Sequence, residues 1–264
     1  MPFRKLRRRL AHALGSLVPS RRALRRVALI SYPKSGRTWI RFMLGTAGLP
    51  IEYSHSGAGN RLGLTFDEVA PRLEGWQGRR VVFLYRDPRD TVVSCYFQAT
   101  RRIEETALFS GTISEFMRSE RYGIDKIARF NLHWLESAAA FRDFTPVSYE
   151  ALHADTRGQL GRIIRFITGK PANPETLDRA VDAGRFDNMR KVEVKLGDTY
   201  DTKTRLGGGI GDDTDRLKTR RGKVGGWTDY FDADDIAFMD AVLERLDYRR
   251  RVDAATAPAA EAHR

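Results

Sequence analysis

Apolar positions along the chain fall into two patterns. Short unbroken runs, Val27–Ser31 (VALIS) and residues 81–85 (VVFLY), read as strands buried on both faces. Residues 146–149 read as a short third strand. Elsewhere apolar residues return every three or four positions, the spacing of an amphipathic helix. Trp39, Ile40, Met43 and Leu44 share one such face, and Val92, Val93, Tyr96 and Phe97 another. Residues 113–142 read as helical through Ile113, Phe116, Met117, Ile127, Phe130, Trp134 and Leu135, and residues 160–167 and 177–181 follow the same rule. Asp232 stands where a cap is needed before a last helix with Ile236, Met239, Val242, Leu243 and Leu246 as its stripe. Strands alternating with helices predict an α/β fold with a central parallel sheet.

Some stretches break the pattern. Residues 46–80 are loop-rich, with one short helical run near residues 66–73. Residues 195–226 hold eight Gly and many charges with little apolar periodicity. So long a connection in a compact domain reads as a lid. Residues 1–26 read as a basic arm, with nine Lys or Arg and no Asp or Glu, so they supply nine of the net +12 charges. In the arm Phe3, Leu6, Leu10, Leu14 and Leu17 recur at helical spacing. Such a stretch either lies on anionic lipid or docks its Leu stripe on the body. The main domain is expected over residues 27–251, with the Ala-rich residues 252–264 as a disordered tail.

Composition narrows the class. A chain of 264 residues, 41% hydrophobic, suits one domain with a substantial core. No run of 18 apolar residues occurs, so no transmembrane helix is expected. The basic start lacks the apolar centre and cleavage site of a secretory signal. Cys95 is the single cysteine, which allows no internal disulfide or zinc cluster and fits a reducing compartment. The expected location is the cytoplasm, with the arm able to touch the inner face of a membrane. Nucleic acid is not an expected partner, because the positive charge is concentrated in the arm.

Three segments carry candidate chemistry. The first is Tyr32-Pro33-Lys34-Ser35-Gly36-Arg37-Thr38-Trp39, a polar turn between a strand and a helix. Such a turn aims backbone N–H groups and a helix N-terminus at an anion, with Lys34 adding charge and Ser35 and Thr38 adding hydroxyls. It is not the nucleotide-triphosphate loop G-x-x-x-x-G-K-[ST], because Lys34 precedes Gly36. Alone, it fits a phosphate or sulfate cradle and an ordinary corner equally. In the second segment Arg86 ends a strand and Ser94 lies two turns into the next helix. The pair can reach one phosphate, and an Arg86–Asp90 ion pair explains the same residues. The third, Arg220-Arg221-Gly222 through Gly225 to Trp227, can close over an anion or stay solvated.

Together, in this order and spacing, the segments resemble the sulfotransferases that use 3′-phosphoadenosine 5′-phosphosulfate, over about residues 27–231. The resemblance implies a three-layer α/β/α, P-loop-like fold akin to nucleotide kinases. It implies transfer of a sulfuryl group to an acceptor hydroxyl or amine without a metal. Lys34 would assist the leaving phosphate. Ser35, Gly36, Arg37 and Thr38 would hold the 5′-phosphate, and Arg86, Ser94, Arg220, Arg221 and Gly222 the 3′-phosphate. Trp39, Tyr149, Phe186 and Met189 would surround the adenine. Two positions depart from the family pattern: Arg37 replaces a small hydroxyl residue, and Arg221 stands where Lys is common.

The family base is a His, or in some carbohydrate-acting branches a Glu, between the first two segments. His55 is the only His there, and Glu52 and Asp67 are its rivals. The near-neutral intrinsic pKa of His55 suits proton abstraction. His133, in a helix beside Trp134, reads as packing. The acceptor is left open among small molecules, glycans and lipid-linked acceptors. Competing readings are a small-molecule kinase using ATP and a non-catalytic membrane or nucleic-acid binder acting through the arm.

Overall fold

The computed structural model describes residues 24, 26–56, 58, 63–69, 73–102, 109–197, 199–203, 205–207 and 217–257. The amphipathic pattern of the arm, the middle of the 195–226 stretch and the end of the tail lie outside the described residues.

Four strands form one parallel sheet in the order β2-β1-β3-β4: β1 Val27–Ser31, β2 Glu52–Ser54, β3 Arg80–Tyr85 and β4 Asp143–Ser148. In β1 every residue is buried, as the unbroken apolar run predicts, and the side chains alternate between two cores. Ala28 and Ile30, with Val81 and Phe83, face one core, and Val27 and Leu29, with Val82 and Leu84, the other.

Helices cover both faces. On one lie α1 Arg37–Thr46, α6 Tyr149–Ala154, α7 Thr156–Thr168 and α8 Pro174–Ala183. On the other lie α3 Pro88–Phe97, α4 Ile113–Arg118, α5 Ile124–Glu136 and α10 Ala233–Arg245. Two more, α2 Phe66–Val69 and α9 Phe186–Leu196, border the crevice described below, and α11 Tyr248–Thr256 packs on α5. The expected three-layer α/β/α arrangement is therefore present.

Several boundaries differ from the periodicity. The loop-rich stretch contains β2, whose three residues are too few to show a pattern. Residues 113–142 split into α4 and α5 at Gly123, where a Cβ would meet Met117 O at 2.2 Å and Ser119 O at 2.4 Å. The strand expected at 146–149 begins at Asp143, and Tyr149 already opens α6 because the Ser148 hydroxyl accepts from Ala151 N. The helix capped by Asp232 is not the last. Helix α11 continues to Thr256, inside the expected disordered tail, because Tyr248 turns inward and accepts a hydrogen bond from Asn131 Nδ2 (2.9 Å). Among the described residues no helix is long and apolar enough to cross a membrane.

Candidate active site

The strand order reverses between β1 and β3. In an open parallel sheet the loops leaving the strand ends diverge at such a point and leave a crevice. A cleft of about 1500 Å³ opens there, lined by ten Lys or Arg side chains and two carboxylates, Glu68 and Asp90.

The loop after β1 forms its floor. Lys34 (φ 68) and Gly36 (φ 98) both adopt left-handed backbone. Gly does so freely, whereas Lys34 is held there at a cost of about 1–2 kcal/mol. A Cβ on Gly36 would lie 2.6 Å from the Tyr149 ring, so the aromatic packs directly on loop backbone. Gly36 caps α1 without a side-chain bond, so the first helical N–H groups and the positive helix end remain available. Lys34, Gly36, Arg37, Thr38 and Trp39 line the cleft. Ser35 does not: it is buried beneath the loop, and its hydroxyl has no hydrogen-bond partner.

Arg86 and Ser94 form the next wall. The Arg86 guanidinium lies 4.2 Å over the Tyr149 ring, donates to Lys223 O (3.1 Å) and sits 3.4 Å from Asp90 Oδ2. Its Nε is buried without a partner. Arg86 thus pairs with Asp90, as the ion-pair reading expects, and also faces the cleft.

Residues 217–227 close the wall opposite. Arg220 donates to the Tyr230 hydroxyl (2.6 Å) and lies 4.2 Å over Phe97, while Arg221 pairs with Asp229 (2.9 Å). Gly222 (φ 62) passes so near Phe186 that a Cβ would meet its ring at 2.7 Å. Two buried carboxylates hold this segment: Asp90, expected from the sequence as a partner of Arg86, and Glu193, which carried no sequence signal. Asp90 accepts from Gly225 N (2.8 Å) and Trp227 N (3.1 Å). Glu193 on α9 accepts from Lys218 N (2.9 Å), Thr219 N (3.0 Å) and Thr219 Oγ1 (2.7 Å). Leu206 and Leu217 are also buried, so the described parts of the Gly-rich stretch are packed onto the body.

Trp39, Tyr149, Phe186 and Met189 gather at the β4 end of the cleft. The Trp39 indole donates to Gly184 O (2.7 Å) and meets Tyr149 edge-on at 5.6 Å. His153, unmarked by any motif, lies 6.4 Å from Trp39.

At the β2 end stands His55. Its Nδ1 is 2.8 Å from Ser31 O. A carbonyl only accepts, so the neutral ring carries its proton on Nδ1 and leaves the Nε2 lone pair free. The imidazole is pushed down to about 3, first by burial and then by the nearby charge of Arg37, with Arg41 and Lys34 adding, against the opposing bond to Ser31. The fold thus holds His55 well below its near-neutral intrinsic value. Glu52 and Asp67 stand outside the cleft, bonded to Arg79 (2.6 Å) and Arg129 (2.9 Å). His133 packs edge-on against Phe66 and is also outside.

The sulfotransferase-domain family model matches residues 77–251, so the chain belongs to the sulfotransferase family. The matched span begins after β2, and the Lys34 loop and His55 precede it. The chain is similar to sulfotransferase 2B1 of Homo sapiens, 24% identical over 236 residues, covering 78% of this chain and 61% of that protein. It is also similar to sulfotransferase 2A1 of Rattus norvegicus, 26% identical over 166 residues, covering 62% and 55%. The chain thus spans less than two-thirds of the length of these relatives. Mouse sulfotransferase SULT7A1 complexed with PAP superposes with a TM-score of 0.59 at 17% identity, over 87% of this chain and 86% of that one. Retinol dehydratase in complex with androsterone and PAP gives 0.56 at 16% identity, over 90% and 83%. At these identities the likeness is one of fold.

Proposed function

We propose that the protein transfers a sulfuryl group from 3′-phosphoadenosine 5′-phosphosulfate to a hydroxyl or amine of an acceptor. The observation that carries this reading is the convergence of the Lys34 loop, Arg86 with Ser94, and Arg220 to Gly222 on one strongly cationic cleft at the sheet's switch point. PAP in two structural neighbours agrees with it.

The residues present fit such a co-substrate. The buried, unpartnered Arg86 Nε and the free N–H groups at the start of α1 are donors waiting for an anion. Arg86, Ser94, Arg220, Arg221 and Gly222 hold the 3′-phosphate. The backbone at Gly36 to Thr38, with the Thr38 hydroxyl and the Arg37 guanidinium, holds the 5′-phosphate. Ser35 supports the loop from below. Trp39, Tyr149, Phe186 and Met189 pack around the adenine.

In the transfer the acceptor oxygen bonds to sulfur as the bond from sulfur to the phosphate oxygen breaks. That electron pair passes to the phosphate, where Lys34 stabilises the developing charge. The acceptor proton goes to His55 Nε2. A pKa near 3 makes the free protein's imidazole a weak base. The negative charge of the bound donor offsets Arg37 and Lys34 and raises it toward neutrality. Acceptors range over small molecules, glycans and lipid-linked species, and the site of action is the cytoplasm.

The test is calorimetric titration of adenosine 3′,5′-bisphosphate into the wild type, Lys34→Ala and Arg86→Ala, with adenosine 5′-monophosphate as control. Micromolar binding that needs the 3′-phosphate and weakens by about 2 kcal/mol in Arg86→Ala is expected. Equal binding of the monophosphate defeats the reading, and magnesium-dependent ATP turnover would then point to a kinase.

A further inference from the structure

Beside Arg37, which the donor's 5′-phosphate engages, the cleft has cationic side chains that the donor does not use. Arg37 and Arg41 are one turn apart on α1 and share a side, while Trp39, two residues from each, faces the opposite way. Trp39 is tied to Gly184 and packs on Tyr149 at the end of β4. The two arginines therefore face β2, on the far side of the Lys34 loop. There the Arg41 guanidinium lies 4.2 Å over the ring of Tyr53, a β2 residue one position from Ser54 and two from His55.

From the opposite wall Arg205 comes to the same place. It donates to the Tyr200 hydroxyl (3.1 Å), and Lys218 Nζ lies 4.8 Å from the Tyr200 ring. These charges are close enough to oppose one another. The Arg37 guanidinium is pushed down to about 10 by burial, Arg41 and Arg205, in that order. The cleft's two carboxylates do not relieve them. Glu68 is engaged by Thr65 N and Oγ1 (2.7 and 2.9 Å), and Asp90 serves Arg86, Gly225 and Trp227 at the other end. Among the described residues neither Arg41 nor Arg205 has a carboxylate partner.

A guanidinium laid on a tyrosine ring keeps its planar fork oriented, and the N–H edges stay available for an oxyanion. Clefts lined by one sign of charge also concentrate ligands of the other. The donor runs from the aromatic group at β4 to Lys34 above β1, so what lies beyond His55 on the β2 side is acceptor space.

We propose that Arg41 and Arg205, framed by Tyr53 and Tyr200, form an anion subsite on the acceptor side of the cleft. The acceptor carries a carboxylate or a sulfate or phosphate ester near the hydroxyl that receives the sulfuryl group. This rests on the sulfotransferase reading.

The test uses full-length protein first titrated with adenosine 3′,5′-bisphosphate and, once saturated, with inorganic sulfate as the probe. Wild type is expected to bind sulfate saturably. Arg41→Ala and Arg205→Ala should each weaken sulfate by about tenfold while leaving bisphosphate affinity unchanged, and Arg41→Lys should recover part of the loss. Both arginines are partly or fully exposed, so the variants keep their fold. No sulfate binding to the saturated protein, or sulfate binding that the variants leave intact, overturns the subsite. A parallel loss of bisphosphate affinity in the variants also overturns it and assigns the arginines to the donor. If wild type fails to bind the bisphosphate in the first titration, the sulfotransferase reading itself has failed, and the subsite falls with it.

Discussion

The two ends of the cleft handle positive charge in opposite ways. At the β4 end Arg86 is countered by Asp90 and stacked on Tyr149, and Arg220 is bonded to Tyr230 and stacked on Phe97. The segment bearing Arg220 is held by two buried carboxylates. At the β2 end Arg37, Arg41 and Arg205 oppose one another, and burial together with Arg37 and Arg41 lowers the affinity of His55 for a proton. The first end is preorganised by internal partners before any ligand arrives. The second stores repulsion that a bound anion would relieve. A protein can therefore fix where a nucleotide sits at little electrostatic cost and still keep a strong drive to bind charge beside the reacting groups.

The largest expected effect that could break this comparison comes from Asp90→Ala. It leaves two buried N–H groups and Arg86 without their carboxylate and should cost about 3 kcal/mol in urea denaturation. A loss below about 1 kcal/mol would mean that pairing does not hold the β4 end. Glu193→Gln keeps the shape but weakens the triple acceptor. A loss of about 1–2 kcal/mol is expected. Faster amide exchange at Lys218 and Thr219 should accompany it, and unchanged exchange would remove Glu193 as the anchor of residues 217–219. Trp39→Phe deletes the bond to Gly184 O and part of the ring that packs on Tyr149, and should cost about 1–2 kcal/mol of stability, with a small loss of bisphosphate affinity.

His55 sharpens the other end. Its folded pKa lies below the value near 6.5 of an unfolded histidine. The unfolded chain thus takes up the proton first, and stability conferred by the neutral ring is complete above about pH 6.5 and falls as pH drops toward 3. His55→Gln should flatten that part of the stability profile. Adenosine 3′,5′-bisphosphate should raise the imidazole pKa, as followed by NMR of the ring protons. A value that stays put on binding would show that burial, and not the charge of the arginines, holds the imidazole down.

Much of the floor and the β4 end of the cleft was legible because its signals are local. The Lys34 turn, the Arg86 to Ser94 spacing and the Arg-Arg-Gly run each lie within a dozen residues, and strand and helix periodicity placed them at strand ends and helix starts. Burial of Val27–Ser31 followed from composition alone. The α4–α5 break was missed because backbone crowding at Gly123 outweighs an apolar rhythm that runs on through it. Glu193 looked like an ordinary helix-surface acid and Asp90 like a partner of Arg86 alone, since the residues 218–227 that they hold lie more than twenty residues away in sequence.

By itself, the sequence determined the alternating α/β layout, the polar turn after the first strand and the basic side chains that surround it, since these depend on residue types at short spacing. Tertiary structure alone decided which acids are spent on internal bonds, which arginines are left facing one another, and that His55 rather than Glu52 or Asp67 enters the cleft. Those outcomes depend on distances between residues far apart in the chain, and on burial that amplifies each charge once water is displaced.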